Sequence, residues 1–145
     1  MNKISLFDGE FAFLSNFYDC PVVIEGLQYP NSEAAYQAMK CENKEERIQF
    51  TNIKAGKAKR LGRKVKLRSD WNDIRLDIMK QILMDKFTRN PELGEKLLAT
   101  GNAELLEGNY WHDTFWGVDN KTGVGENHLG KLLMEVRENL KNNKI

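Results

Sequence analysis

Val22-Val23-Ile24-Glu25-Gly26-Leu27-Gln28-Tyr29-Pro30-Asn31-Ser32-Glu33-Ala34-Ala35-Tyr36-Gln37-Ala38-Met39-Lys40 carries the change of pattern on which the fold class turns. Two short apolar runs, 22–24 and 27–29, flank a Glu25-Gly26 turn and read as a hairpin. Pro30 stops the strand, and Asn31-Ser32 supplies a helix N-cap. An alanine-rich helix is expected over 32–40. Strand pairing followed by a helix within one stretch marks an α+β chain.

Outward from this segment, 4–7 reads as a strand, Gly9 as a turn and 14–17 as a loop. Downstream, helices are expected over 45–53 and 55–61, the second ended by Gly62. Asp70 is placed to cap the longest helix, with Asp73 completing an Asp variant of the capping box. Trp71, Ile74, Ile78 and Ile82, with Met79, Leu83 and Phe87, then recur at spacings of three and four and form one apolar face. Asn90-Pro91 opens another helix, Leu93, Leu97 and Leu98 give its core face, and Thr100-Gly101 ends it. Strand-like pieces at 104–106 and 114–118 precede a final amphipathic helix carrying Leu129, Leu132, Leu133, Val136 and Leu140. The expectation is one predominantly helical α+β domain over 1–145 with a small N-terminal antiparallel sheet.

Composition narrows the function classes. A chain of 145 residues, 41% apolar and 30% charged, with mean hydropathy −0.59, has the make-up of one ordinary folded domain. Its longest aliphatic run, 22–24, is far below the roughly 20 residues of a membrane span. Residues 1–5 lack the apolar core of a secretion signal. Two cysteines, Cys20 and Cys41, without a CxxC pair read as small buried hydrophobes in a reduced, cytoplasmic setting. Two histidines, His112 and His128, make neither a metal site nor a catalytic triad, so neither metal nor cofactor is expected. The net charge of +1 hides a basic run: eight of 22 basic residues fall within 54–68, with no acid among them. Such local concentration suits an anionic ligand better than a whole-surface nucleic-acid binder.

Three segments carry polar residues with chemical potential. Glu33, Gln37 and Lys40 stand at i, i+4 and i+7 of the expected helix, on one face screened mostly by alanine. A carboxylate near a helix N-terminus is favoured in its ionised form, which suits a general base or a cation stabiliser. The competing reading is capping chemistry with a solvated stripe. Tyr110-Trp111-His112-Asp113-Thr114-Phe115-Trp116-Gly117 fits a pocket wall that stacks a flat ring beside a carboxylate, or else a buried core strand. The glycine-rich stretch 120–130 opens the last helix, where backbone N–H groups could hold a phosphate or a diol. It is neither a Walker A loop nor a dinucleotide-binding fingerprint. In the basic run, an arginine turned inward past Gly62 could grip a phosphate with its planar fork.

Taken in order, Phe13-Leu14-Ser15-Asn16-Phe17-Tyr18, Tyr29-Pro30 with Ser32-Glu33 and Tyr36-Gln37-Ala38, Ala58-Lys59 with Leu61-Gly62-Arg63, Leu67-Arg68 with Asp70-Trp71, Lys86-Phe87, Asn90-Pro91, Thr100-Gly101, Asp113 with Trp116-Gly117, and Gly123, Gly125, Asn127, Leu129-Gly130 resemble the YbiA/NADAR family of N-glycosidases. The resemblance runs from about Phe7 to Leu140. It departs at Ala34, where family members often carry histidine.

The resemblance implies a compact, mostly helical α+β fold and cleavage of the bond between ribose C1 and a base-like amine. The substrates it implies are phosphoribosylamino-pyrimidine intermediates of riboflavin synthesis or ADP-ribosyl guanine, free or in nucleic acid. It assigns catalysis to Glu33, Lys40 and Asp113. Glu33 would steady an oxocarbenium-like C1 or activate water. Lys40 offers a different route, through a Schiff base with ring-opened ribose. Asp113 would act as acid/base or hold a ribose hydroxyl. Substrate binding falls to Ser15, Asn16, Phe17, Gln37, Arg63, Arg68, Trp71, Trp116, Gly117, Gly125 and Asn127: Trp71 and Trp116 stack the base, Arg63 or Arg68 holds phosphate, and Gly125 and Asn127 lie near the sugar. No metal is called for. A binding module for ADP-ribose or a related nucleotide, without turnover, is the rival reading. Neither the oligomeric state nor the choice of substrate follows from these residues.

Overall fold

A computed structural model describes residues 2–143. The chain forms two compact units, one from residues 16–90 and the other from residues 1–15 together with 91 onward.

In the unit of residues 16–90, β2 (Asp19–Ile24) and β3 (Leu27–Asn31) form the expected antiparallel hairpin, following β1 (Lys3–Ile4) of the other unit. Ile24 faces Leu27, Val23 faces Gln28 and Val22 faces Tyr29. Glu25 and Gly26 both take positive φ, 50° and 78°, as a two-residue turn matched to strand twist requires. Asn31 then caps α1 (Ser32–Ala38), its Oδ1 accepting from Ala34 N at 2.7 Å. The helix stops two residues earlier than expected, which leaves Lys40 in the turn beyond it. α2 (Lys44–Ile48) is also shorter than expected and is capped by Asn43. α3 spans Ala55–Gly62 and α4 spans Trp71–Arg89.

α4 buries Trp71, Ile78, Met79, Ile82, Leu83 and Phe87 of the face that the periodicity marks, whereas Ile74 of that face is only half-buried and Lys86 joins the buried set. Each such apolar side chain contributes about 1.5–3 kcal/mol when fully buried. The capping box is absent: Asp70 makes no side-chain cap, because Arg68 takes both its carboxylate oxygens, Nε at 2.7 Å and Nη2 at 3.2 Å.

In the other unit, β1 pairs in parallel with β4 (Glu104–Leu105). A 3-10 helix over Gly9–Leu14 replaces the expected simple turn at Gly9. α5 (Pro91–Ala99) opens on its proline as expected. β5 (Gly108–Asn109) and β6 (Val118–Asp119) form a second two-residue parallel pair, and α6 (His128–Asn143) closes the chain. The strand expected over 114–118 is a turn instead, with only Val118 in β6. Asp113 Oδ1 accepts from Phe115 N at 3.2 Å and Trp116 N at 3.0 Å, and this side-chain cap curls the backbone out of extension. The fold is α+β and mainly helical, with small sheets.

Candidate active site

Small residues bring two helices of the 16–90 unit close together. Ala55, Ala58 and Gly62 are the buried positions of α3, which packs on α1. Glu33 and Gln37, one helical turn apart on α1, are 8% and 5% exposed. Gln37 Nε2 donates to Glu33 Oε2 at 2.6 Å, at the short end for an N–H donor on a carboxylate. Glu33 N donates to Asn16 O at 3.0 Å, tying the loop at Asn16 to the start of the helix. The Asn16 side chain donates to Met79 Sδ at 3.6 Å, while its Oδ1 is buried and accepts no hydrogen bond.

Lys40 lies just past α1, half-buried, its Nζ 5.8 Å from the centre of the Tyr36 ring. Burial pushes its pKa below the ordinary lysine value, the Glu33 charge opposes that shift, and the Arg63 charge adds to it. Tyr36 in turn packs on Trp71, ring centres 5.1 Å apart. Trp71 is only 4% exposed, so most of its surface is taken up by packing. Arg68 closes the end of α1. Its N donates to Lys40 O at 3.0 Å and its Nη1 to Met39 O at 3.5 Å, while the guanidinium grips Asp70. Arg63 is exposed. Phe17 is 46% exposed and lies 5.9 Å from Lys59 Nζ.

The other unit gathers a second set of residues around the turn at 113–117. Asp113 is held at both ends of its backbone by the Asn109 side chain, at 2.9 Å each. The turn it caps presents Phe115 and Trp116, which meet edge-to-face at 4.9 Å, and His128 packs on Phe115 at 4.5 Å. Gly117 is required by space, since a Cβ there would lie 1.9 Å from Glu107 Oε2 and 2.0 Å from Glu107 O. Gly125 likewise passes against Gly117 O. Asn127, 5% exposed, donates from Nδ2 to Leu105 O at 2.9 Å and accepts at Oδ1 from Glu107 N at 3.0 Å. Ser15 sits at the end of the 3-10 helix, its N donating to Ala12 O at 3.0 Å.

A profile of the NADAR domain matches residues 6–141. The chain belongs to the NADAR family. It is 36% identical over 134 residues to the N-glycosidase YbiA of Escherichia coli, an alignment that covers 90% of this chain and 82% of that protein. The NMR structure of E. coli YbiA superposes with a TM-score of 0.84 at 32% identity, covering 99% of this chain and 89% of that one. A riboflavin biosynthesis protein of Vibrio vulnificus is 42% identical over 138 residues. That match covers 92% of this chain and 36% of the Vibrio protein, so the chain spans about a third of that relative's length. With named N-glycosidases aligned along most of its length, this NADAR chain is an N-glycosidase.

Within this NADAR protein, Glu33, Gln37, Lys40 and Arg68 gather at α1 and its C-terminal end, with Trp71 behind them through Tyr36. Asp113 and Asn127 use the side-chain atoms described above on backbone of their own unit. Sequence reading missed three contributors: Tyr36 beneath Lys40, the Asn16 carbonyl on Glu33 N, and Gly62 beside Gln37. Only the spacing of the small residues Ala55, Ala58 and Gly62, three and four apart, hinted at the last. Among the described residues no group of His, Cys, Asp or Glu could hold a metal ion, and no helix is long and apolar enough to cross a membrane.

Proposed function

We propose that the chain, acting as one NADAR domain, hydrolyses the bond between ribose C1 and the amine of a phosphoribosylamino-pyrimidine of riboflavin synthesis. Water adds at C1, the C1–N bond breaks, and the nitrogen leaves with a proton. Glu33 is the carboxylate that steadies the cationic C1 and orients the water. The observation that carries this reading is the buried Glu33 carboxylate with a donor fixed on it and Lys40 beside it. The Vibrio relative's name supports the choice of substrate. Arg68 and the exposed Arg63 offer cations for the phosphate, Phe17 an exposed ring for the base. Asp113 caps the turn that carries Phe115 and Trp116, and Asn127 ties together the backbone at Leu105 and Glu107.

A second reading is favoured by one observation, the burial that lowers the Lys40 pKa. A neutral Lys40 amine would add to C1 of the ring-opened sugar, expel the pyrimidine amine and leave an imine that water resolves.

Product release by mass spectrometry tests both readings on the in situ pyrimidine substrate and on ADP-ribosyl guanosine. Glu33→Gln is expected to lower kcat by about 10²–10⁴-fold on the pyrimidine. Borohydride, which reduces an imine to a stable adduct, tags Lys40 only if the Schiff-base route operates. Turnover of ADP-ribosyl guanosine alone moves the substrate to that class. Undiminished turnover by Glu33→Gln overturns the assignment of Glu33.

A further inference from the structure

The Gln37 amide is held from two sides. Its Nε2 donates to Glu33, while Oε1 is buried and accepts no hydrogen bond. Against this second end lies Gly62, the last residue of α3. A Cβ on Gly62 would fall 1.9 Å from Gln37 Oε1, 2.6 Å from its Cδ and 3.1 Å from its Cβ. Every other residue type at 62 therefore collides with the side chain that contacts Glu33. Relief of the clash requires the end of the buried Gln37 side chain, 5% exposed, to shift, and with it the amide that donates to Glu33. The amide orientation is itself determined, because only its N–H end can face a carboxylate without repulsion.

We propose that Gly62 and Gln37 are positioning residues for Glu33: the glycine opens the space in which the Gln37 amide holds the carboxylate in one orientation and in its ionised form. A donor fixed on a buried carboxylate favours the charged state and removes a rotameric freedom. Both matter for a group that must face a cationic C1, since a slack carboxylate would have to reorganise as charge develops. Gln37 thus acts through Glu33, and its role is not to grip the ligand. The inference rests on Glu33 as the reacting carboxylate. Lys40 is the charged neighbour whose field also reaches Glu33, and it is unchanged in every variant below.

The test uses the full chain with Gln37→Met, Gly62→Ala, Gln37→Ala and the Gly62→Ala/Gln37→Ala double variant. Two quantities are read: the Glu33 carboxyl titration by carbon-13 NMR, and kcat and KM against pH. Gln37→Met keeps length and removes the donor, and is expected to raise both the Glu33 titration and the acid limb of kcat/KM by about one pH unit. Gly62→Ala is expected to lower kcat about 10-fold with KM within about twofold. The double variant should be no worse than Gln37→Ala, because the two closest members of the clash, Oε1 and Cδ, are gone and only the 3.1 Å approach to the Cβ of residue 37 remains. If Gly62→Ala does not fold, recovery of folding in the double variant supports the contact, and failure to recover overturns it. An unmoved Glu33 titration in Gln37→Met, or losses that multiply in the double variant, overturns the proposal. Activity in Glu33→Gln would instead sink the functional reading, whereas an inactive Glu33→Gln with an unmoved titration in Gln37→Met sinks only the positioning role.

Discussion

Replacing Asn127 with alanine separates a scaffold from a ligand contact. The side chain bridges Leu105 O and Glu107 N, at 2.9 and 3.0 Å, from a position 5% exposed. Alanine withdraws both partners inside the protein, at about 1–3 kcal/mol for each group. Asn127 also has φ 54°, a left-handed conformation that asparagine tolerates and alanine resists by about 1 kcal/mol more. The expected loss is therefore about 3–7 kcal/mol, or roughly 10 °C or more in Tm for a chain of this size. Asn127→Gly relieves the backbone and should cost about 1 kcal/mol less. Urea unfolding of the three proteins, with slopes compared to verify that the same surface is exposed, gives the measurement. A loss below about 1 kcal/mol in Asn127→Ala, together with a many-fold rise in KM, would refute the scaffold argument and return Asn127 to the ligand.

Lys86 is wholly buried beside Tyr18 and Phe87, and burial pushes its pKa down to about 8, with a smaller opposing effect from Cys20. Between pH 8 and the ordinary lysine value the unfolded chain binds the extra proton, so stability should rise with pH by up to about 3 kcal/mol. Chemical unfolding at pH 8, 9 and 10 should show this rise in the wild type and a flatter profile in Lys86→Met; identical profiles would contradict it. Tyr29, 1% exposed with no hydrogen bond to its hydroxyl, has its pKa pushed up to about 12, chiefly by burial. Stability tied to its neutral form is present below pH 10 and lost as pH rises from 10 to 12. Tyr29→Phe should be neutral or stabilising by about 1 kcal/mol at pH 7 and should lose less stability over that alkaline range; marked destabilisation at pH 7 would reveal a hydrogen bond. Trp71→Ala should cost about 3–5 kcal/mol from lost packing, read by thermal unfolding. A stable Trp71→Ala protein with impaired substrate binding would instead make Trp71 a stacking surface.

The hairpin was legible because its determinants are neighbours: two apolar runs and a Glu25-Gly26 pair able to adopt positive φ. The buried face of α4 was legible for the same reason. Local signals misled where a side chain from nearby captured a polar group. Arg68 took the Asp70 carboxylate from its cap, and Asp113 bent an aromatic run that otherwise favours strand. The pairing of Glu33 with Gln37 follows from helical spacing. The room for that pairing does not, because Gly62 reaches Gln37 only through helix packing. The parallel partners of β1 and β5 were equally hidden, since two-residue strands carry almost no pattern of their own.

The pairing of Lys3-Ile4 with Glu104-Leu105 joins segments about a hundred residues apart, across a span that includes the whole contiguous 16–90 unit. During synthesis, residues 16–90 leave the ribosome with the partners within their own unit in hand, whereas the first strand must wait for much of the remaining chain. Contacts of such sequence separation form slowly because loop closure precedes their reward. The amino-terminal edge is thus the part of the molecule for which chaperones have the longest opportunity to act, although Glu33 and its supports have been translated by then.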